Sequence, residues 1–150
     1  MKRRMVLTGI GLAIAGLSSG CLDRSVAGDD PTPDPPTTPT VDPTLTVIAS
    51  GCGDGTDRAA IRFADETVHI EGVIVGSNTC ETAQIESVTT TGSTLRVEIV
   101  TAVPGTGTPA CAQCLTDIEY RATIDGDGFT PDEVVVVHDG TVVEQWTRSS

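Results

Sequence analysis

The feature that most constrains the fold is a series of short segments in which apolar and polar side chains alternate. In Thr94–Ala102, Leu95, Val97 and Ile99 point one way while the charged residues between them point the other. A period of two places successive side chains on opposite faces of a β-strand. No window after Thr44 sustains the period of a helix. The sequence therefore predicts an all-β domain whose strands each bury one face.

Eight segments after the tether have this β-strand character, and turn-forming residues separate them. One pair is joined by Asp139-Gly140, a dipeptide that favours a type I′ hairpin turn. About seven short strands at such spacing predict an antiparallel, immunoglobulin-like β-sandwich over residues 45–150, with a small open β-barrel as the alternative. The candidate strands are residues 45–49, 58–64, 67–75, 83–89, 94–102, 115–124, 134–138 and 141–146.

The N-terminus has the order of an export signal. Lys2-Arg3-Arg4 is followed by an apolar stretch over residues 5–17 and then by small residues leading into Cys21. This order predicts a signal peptide over residues 1–20. Leu17-Ser18-Ser19-Gly20-Cys21 resembles a lipobox, with its large aliphatic residue four positions before the cysteine instead of three. We therefore expect a lipid on Cys21 and export to the outer face of the membrane. Both the twin-arginine and the general secretory routes remain open.

A proline-rich stretch separates the leader from the alternating segments. Six of the nine prolines lie between Gly28 and Thr44. Proline fixes φ and removes a backbone donor, so this stretch is expected to be extended and to stay out of helices and sheets. Residues 21–44 are therefore predicted to form a lipidated N-terminus and a disordered Pro/Thr-rich tether.

Four cysteines follow Cys21, an even number that predicts disulfides in an exported chain. Three connectivities are possible. A bond between Cys111 and Cys114 would close a very small loop, whereas bridges from these two to Cys52 and Cys80 would close longer ones. Of the two pairings of that kind, Cys80–Cys111 with Cys52–Cys114 is preferred. The alternative is a redox or metal-binding protein that uses Cys111-Ala112-Gln113-Cys114. A thioredoxin-like site places such a motif at a helix N-terminus, whereas here it leads into an alternating strand.

Charge and motif content restrict the function. The chain has a net charge of −12, and three of its nine cationic residues lie in the leader. So acidic a surface repels nucleic acid, and it resembles the surfaces of secreted proteins from salt-loving archaea. Neither His69, expected to point outward, nor His138, at the edge of a turn, belongs to a recognisable catalytic motif. No catalytic residue, metal or cofactor is predicted, although Asp-Gly-rich residues 53–57 and 125–128 leave a calcium-dependent adhesion module open.

The cysteine-containing segments also carry a family resemblance. Residues 78–83, 95–99, 111–114 and 118–120 (NTCETA, LRVEI, CAQC and IEY) resemble a group of haloarchaeal surface lipoproteins. The resemblance covers most of the chain from about Cys52, together with the leader. It implies a location and a fold and transfers no activity. The expected protein is a non-enzymatic envelope module that is bound to the membrane through its lipid and contacts an envelope protein or polymer.

Overall fold

The alternating segments form β-strands in the computed structural model, which describes residues 39–105 and 110–150. All eight candidate segments are strands, and there is no helix among these described residues. The hairpin residues Asp139 and Gly140 both have positive φ, as a type I′ turn requires. The strands are β1 (Val41–Cys52), β2 (Arg58–Ala64), β3 (Thr67–Gly76), β4 (Thr82–Thr91), β5 (Thr94–Ala102), β6 (Thr116–Gly126), β7 (Glu133–His138) and β8 (Thr141–Thr147).

The strands divide into two four-stranded sheets, which confirms the sandwich over its alternative. The first sheet has the order β1-β6-β3-β2 and is antiparallel throughout. The second has the order β4-β5-β7-β8, and its central pair, β5 and β7, is parallel. The expectation of a purely antiparallel sandwich is wrong at this pair. Between β5 and β7 the chain crosses to the first sheet as β6 and returns, so β7 runs in the same direction as β5.

The core lies between the sheets and consists almost entirely of aliphatic side chains. Alternate, inward positions of β3, β5, β6 and β7 supply it, and β7 is buried on its other face as well. At one side of the sandwich, the Phe63 and Trp146 rings of edge strands β2 and β8 meet with centroids 4.1 Å apart. The fully buried large side chains are Val68, Ile70, Ile74, Leu95, Val97, Ile99, Ile118, Tyr120, Ile124, Val134, Val136 and Val137.

Strand β1 begins earlier than the proline content predicts. It starts at Val41, so residues 41–44 belong to the first sheet and the tether ends before them. Pro43 lies opposite Ile124 of β6 in the ladder. β1 is an edge strand, and a proline is tolerated there when its nitrogen faces the free edge, where no ladder hydrogen bond is needed. The predicted boundary at residue 45 is therefore wrong by four residues.

Candidate functional site

Three side chains, Asp57, His138 and Tyr120, form a hydrogen-bonded chain that runs from the surface into the core; we call it the relay. The Asp57 Oδ1 atom lies 3.0 Å from His138 Nδ1, and His138 Nε2 lies 2.7 Å from the Tyr120 hydroxyl. The exposed fraction is 43% for the Asp57 side chain, 3% for His138 and 0% for Tyr120. The two sheets are thus joined by a polar contact inside an otherwise apolar core.

Strand alternation places two members of the relay. Tyr120 follows Ile118 on the inward face of β6, and His138 follows Val136 on the inward face of β7. Asp57 lies immediately before β2, and its Oδ1 atom also accepts the Val75 backbone N–H at 3.2 Å. One carboxylate oxygen therefore contacts strands of both sheets.

A glycine in β3 makes room for the tyrosine. A Cβ atom on Gly72 would lie 2.5 Å from the Tyr120 hydroxyl oxygen and 2.7 Å from the Arg58 carbonyl oxygen. No side chain with a Cβ fits there without displacement of its neighbours. The position of the tyrosine hydroxyl therefore depends on Gly72.

The hydrogen bonds define the protonation state of the relay. A carboxylate only accepts, so His138 Nδ1 carries the proton that it donates to Asp57; Nε2 of the neutral imidazole then accepts from the Tyr120 O–H. Burial raises the pKa of Tyr120, and the charge of Asp57 raises it further. Burial also lowers the pKa of His138, against the opposing effects of the Asp57 hydrogen bond and of the charges on Asp57 and Asp139. The relay is neutral at His138 and Tyr120 near neutral pH.

A substrate cannot reach His138 or Tyr120, the two members of the relay that could act as a base or a nucleophile. A general base or a nucleophile must come within hydrogen-bond reach of a reacting atom, and both rings lie inside the sandwich. The sequence prediction placed His138 only at the edge of a turn and missed this contact. The alternation of Val134, Val136 and His138 was the signal for its inward direction. Half-exposed His69 points away from the core, as expected from its neighbours Val68 and Ile70.

Two disulfides close the loops at the end of the sandwich where Asp57 lies. They join Cys52 to Cys114 and Cys80 to Cys111, which is the pairing favoured from the sequence. The first bridge links the end of β1 to the residues before β6, and Gly53 continues this link with an N–H bond to the Leu115 carbonyl. Cys111 and Cys114 belong to different bridges, so the C-x-x-C segment is not a paired dithiol in this fold.

Each of the two Asp-Gly-rich segments has one carboxylate that forms hydrogen bonds with residues distant in the sequence. Asp57 belongs to the relay, and Asp125 accepts a 2.7 Å hydrogen bond from the Thr67 hydroxyl. Within residues 39–105 and 110–150, no three His, Cys, Asp or Glu side chains are close enough to hold a metal ion.

The outer face of the first sheet has a shallow groove of about 220 Å³, whose lining includes Ile48 and Val73. Next to it, Glu71 is bound on both sides, by Arg62 at 2.9 Å and by Arg121 at 3.0 Å. These ion pairs are exposed and contribute little to stability. A single carboxylate is thus shared by two guanidinium groups and offsets the charge of only one of them.

Comparison of the chain with protein-family models, with curated proteins and with solved structures gives no significant match. The fold and the relay therefore rest on this chain's own geometry. In the part of the chain that the structure describes, no helix has the length and apolar character needed to cross a membrane. The predicted signal peptide, the predicted lipid acceptor Cys21 and the predicted tether before residue 39 lie outside the described residues.

Proposed function

We propose that this chain is an exported lipoprotein of the cell surface, in which Cys21 carries the lipid and the β-sandwich is a non-enzymatic binding or structural module. The observation that supports export most directly is the pair of disulfides, Cys52–Cys114 and Cys80–Cys111. Disulfides persist in oxidising compartments outside the cytosol. The leader that ends at Cys21 supplies the route to such a compartment. The proposed contacts are the membrane, through the lipid, and an envelope protein or polymer.

The burial of the relay supports a role without catalysis. Tyr120 and His138 are enclosed by both sheets, so a reacting group has no path to them. Burial also raises the pKa of Tyr120, which makes its hydroxyl a weaker nucleophile than a free phenol. The polar chain instead fixes β6 and β7 relative to each other, a role that buried hydrogen-bond networks commonly have.

The lipid anchor is tested by expressing Cys21→Ser beside a matched control, Ser19→Ala, in a host that processes lipoproteins. We expect the wild type and Ser19→Ala to fractionate with the membrane and to give a mature mass that begins at Cys21 and includes a lipid. The Cys21→Ser variant should lack the lipid mass. A wild-type protein that starts at another residue, or that has no lipid on Cys21, would show that the anchor assignment is wrong.

A further inference from the structure

The relay connects a surface segment to the centre of the sandwich. Residues 53–57 join β1 to β2, and the segment begins next to the Cys52–Cys114 bridge. Its Gly55 N–H donates to Asp117 Oδ1 at 3.1 Å, and its Asp57 carboxylate reaches both Val75 and His138. Of these two contacts, the one with the His138 imidazole leads on to Tyr120 in the core.

In the neutral state every buried polar side-chain atom of the relay has a partner. His138 donates through Nδ1 and accepts through Nε2, and the Tyr120 hydroxyl donates into Nε2. A protonated imidazole donates from both nitrogens, so Nε2 no longer accepts the tyrosine proton. That proton would then lack its acceptor in a region that excludes water, and a positive charge would lie between the sheets. Both effects are unfavourable.

The two ends of the relay respond in opposite ways to this charge. At the Asp57 end, protonation strengthens the contact, because an imidazolium and a carboxylate attract each other. This end is also half-open to water. At the Tyr120 end, the same proton turns Nε2 from an acceptor into a donor, so the hydroxyl oxygen must accept and the tyrosine proton loses its partner. The protonated His138 ring is therefore more stable when it lies near Asp57 and the solvent than when it lies beside Tyr120.

We propose that the relay is a proton-operated latch: neutral His138 holds the end of β7 against Tyr120 of β6, and protonation releases this contact while His138 stays bound to Asp57. Release loosens the sandwich at the end of β7 and in the β7–β8 turn, whereas residues 53–57 stay bonded to the first sheet. The first sheet and the two disulfides stay intact, because none of their bonds passes through the imidazole. The open form is therefore a local rearrangement and not global unfolding.

The groups around His138 support a transition in mild acid. Asp57 faces it from the β1–β2 segment and Asp139 from its own turn, while Tyr120 is the titratable group from β6. The residues that pair with His138 in the second sheet, Ile99 and Thr141, are uncharged. From β3, the Val75 N–H donates to the Asp57 carboxylate that binds His138. Burial outweighs the two carboxylates and lowers the pKa of His138 below 6.5. The pKa of His138 is therefore lower in the folded protein than in the unfolded chain, where it is about 6.5. The latched state has its full stability above about pH 6.5, and it loses this stability as the pH falls from there toward the folded pKa.

The test uses the full chain with both disulfides oxidised. Histidine NMR titration gives the pKa of His138, and hydrogen exchange compares pH 7.5 with pH 5.0 after correction for the intrinsic rate. We expect His138 to titrate below 6.5 and protection in residues 134–140 to fall with it. The expected fall is up to about tenfold for each pH unit between the folded pKa and 6.5. Protection in β3 and β6 should change less.

Two substitutions make the test specific to this histidine. His138→Gln keeps one donor and one acceptor without a titration, and should abolish the pH-dependent loss of protection. His69→Gln, at the half-exposed histidine of the outer face, should leave that loss unchanged. If His138→Gln does not fold, Tyr120→Phe serves instead: without the hydroxyl that favours the neutral ring, the pKa of His138 should rise toward 6.5 and the loss should shrink.

The latch is overturned by a pKa of His138 at or above 6.5, or by unchanged protection in residues 134–140 across its titration. It is also overturned if His138→Gln shows the same loss as the wild type, or if Tyr120→Phe leaves the pKa of His138 unchanged.

Discussion

At the position of Gly72, the inner face of β3 has no side chain, and the Tyr120 hydroxyl occupies the space where one would lie. An all-apolar core would fill this space with another methyl group. Instead, the glycine admits a phenol whose hydroxyl needs a partner, and His138 supplies it. The three residues form one unit: changing the volume at Gly72 moves the hydroxyl, and moving the hydroxyl leaves the imidazole without its donor.

Replacement of Gly72 by alanine is expected to destabilise the fold by about 2–3 kcal/mol, the upper part of the usual cost of overpacking. The added Cβ would meet both a ring and a backbone carbonyl, and the carbonyl of Arg58 cannot rotate away. Urea unfolding at pH 7.5 measures the change. Gly51→Ala is the matched control, because a Cβ there meets nothing within 4 Å and should change stability by less than about 0.5 kcal/mol. Equal stability of the two variants would contradict the steric account of Gly72.

At the scale of the strands, the sheet edges are shaped against further pairing. Three of the four edge strands carry one unpaired extra residue: Ile48 in β1, Glu86 in β4 and Val143 in β8. Such bulges interrupt the regular row of donors and acceptors that another strand would need. Pro43 has no backbone N–H, so β1 also lacks one hydrogen-bond donor. The fourth edge, β2, has no bulge but presents Arg58 and Arg62 on its exposed side. The edges therefore disfavour aggregation through strand addition.

The two disulfides are nested, since Cys80–Cys111 lies inside the loop that Cys52–Cys114 closes. With the inner bridge formed, the path from Cys52 to Cys114 shortens from 62 residues to about half that number. The two bridges therefore constrain the unfolded chain by similar amounts, despite separations of 62 and 31 residues.

Removal of one bridge at a time tests this nesting. In the chain-entropy treatment, C52A/C114A and C80A/C111A should each lose about 3.5–4 kcal/mol, because each bridge closes a path of about 31 residues when the other bridge is present. The free energies of unfolding from guanidinium titrations of the oxidised proteins give both values. Mass spectrometry confirms the remaining bridge in each variant. If C80A/C111A is destabilised by at least 1 kcal/mol more than C52A/C114A, the loss of native contacts around that bridge contributes more than the entropy of loop closure.

At the scale of the whole molecule, negative charge dominates the surface. The chain has 21 acidic and nine basic residues, and after the three cations of the leader only arginines remain to offset the carboxylates. Mutual repulsion of these carboxylates opposes the compact state, and mobile ions reduce it. The stability of the sandwich is therefore expected to depend on salt.

The thermal midpoint should rise as NaCl is increased from 0.1 to 1 M, because the screening length falls from about 10 Å to about 3 Å over this range. Differential scanning calorimetry at pH 7.5 measures it. A control variant, Glu66→Gln with Glu86→Gln and Glu119→Gln, removes three exposed carboxylates and should show a smaller rise. The same rise in both proteins would mean that salt acts through apolar burial and not through screening.

The sequence by itself determined the strands and the direction of their side chains. Alternation is a local property, so Leu95, Ile118 and Tyr120 could be placed in the core from their neighbours alone. Proline content misplaced the start of β1, because the tolerance for Pro43 depends on β1 being at an edge. That position in the sheet is not a local property.

Only the tertiary structure decided which distant residues meet. The parallel pairing of β5 with β7 follows from the crossing of β6 between sheets, which no single segment encodes. The contact of His138 with Asp57 joins residues 81 positions apart. The alternation of β7 indicated that this histidine points inward, but its partners come from β6 and from the segment before β2. They were fixed when the two sheets closed over the core and each buried polar atom had to find a hydrogen-bond partner.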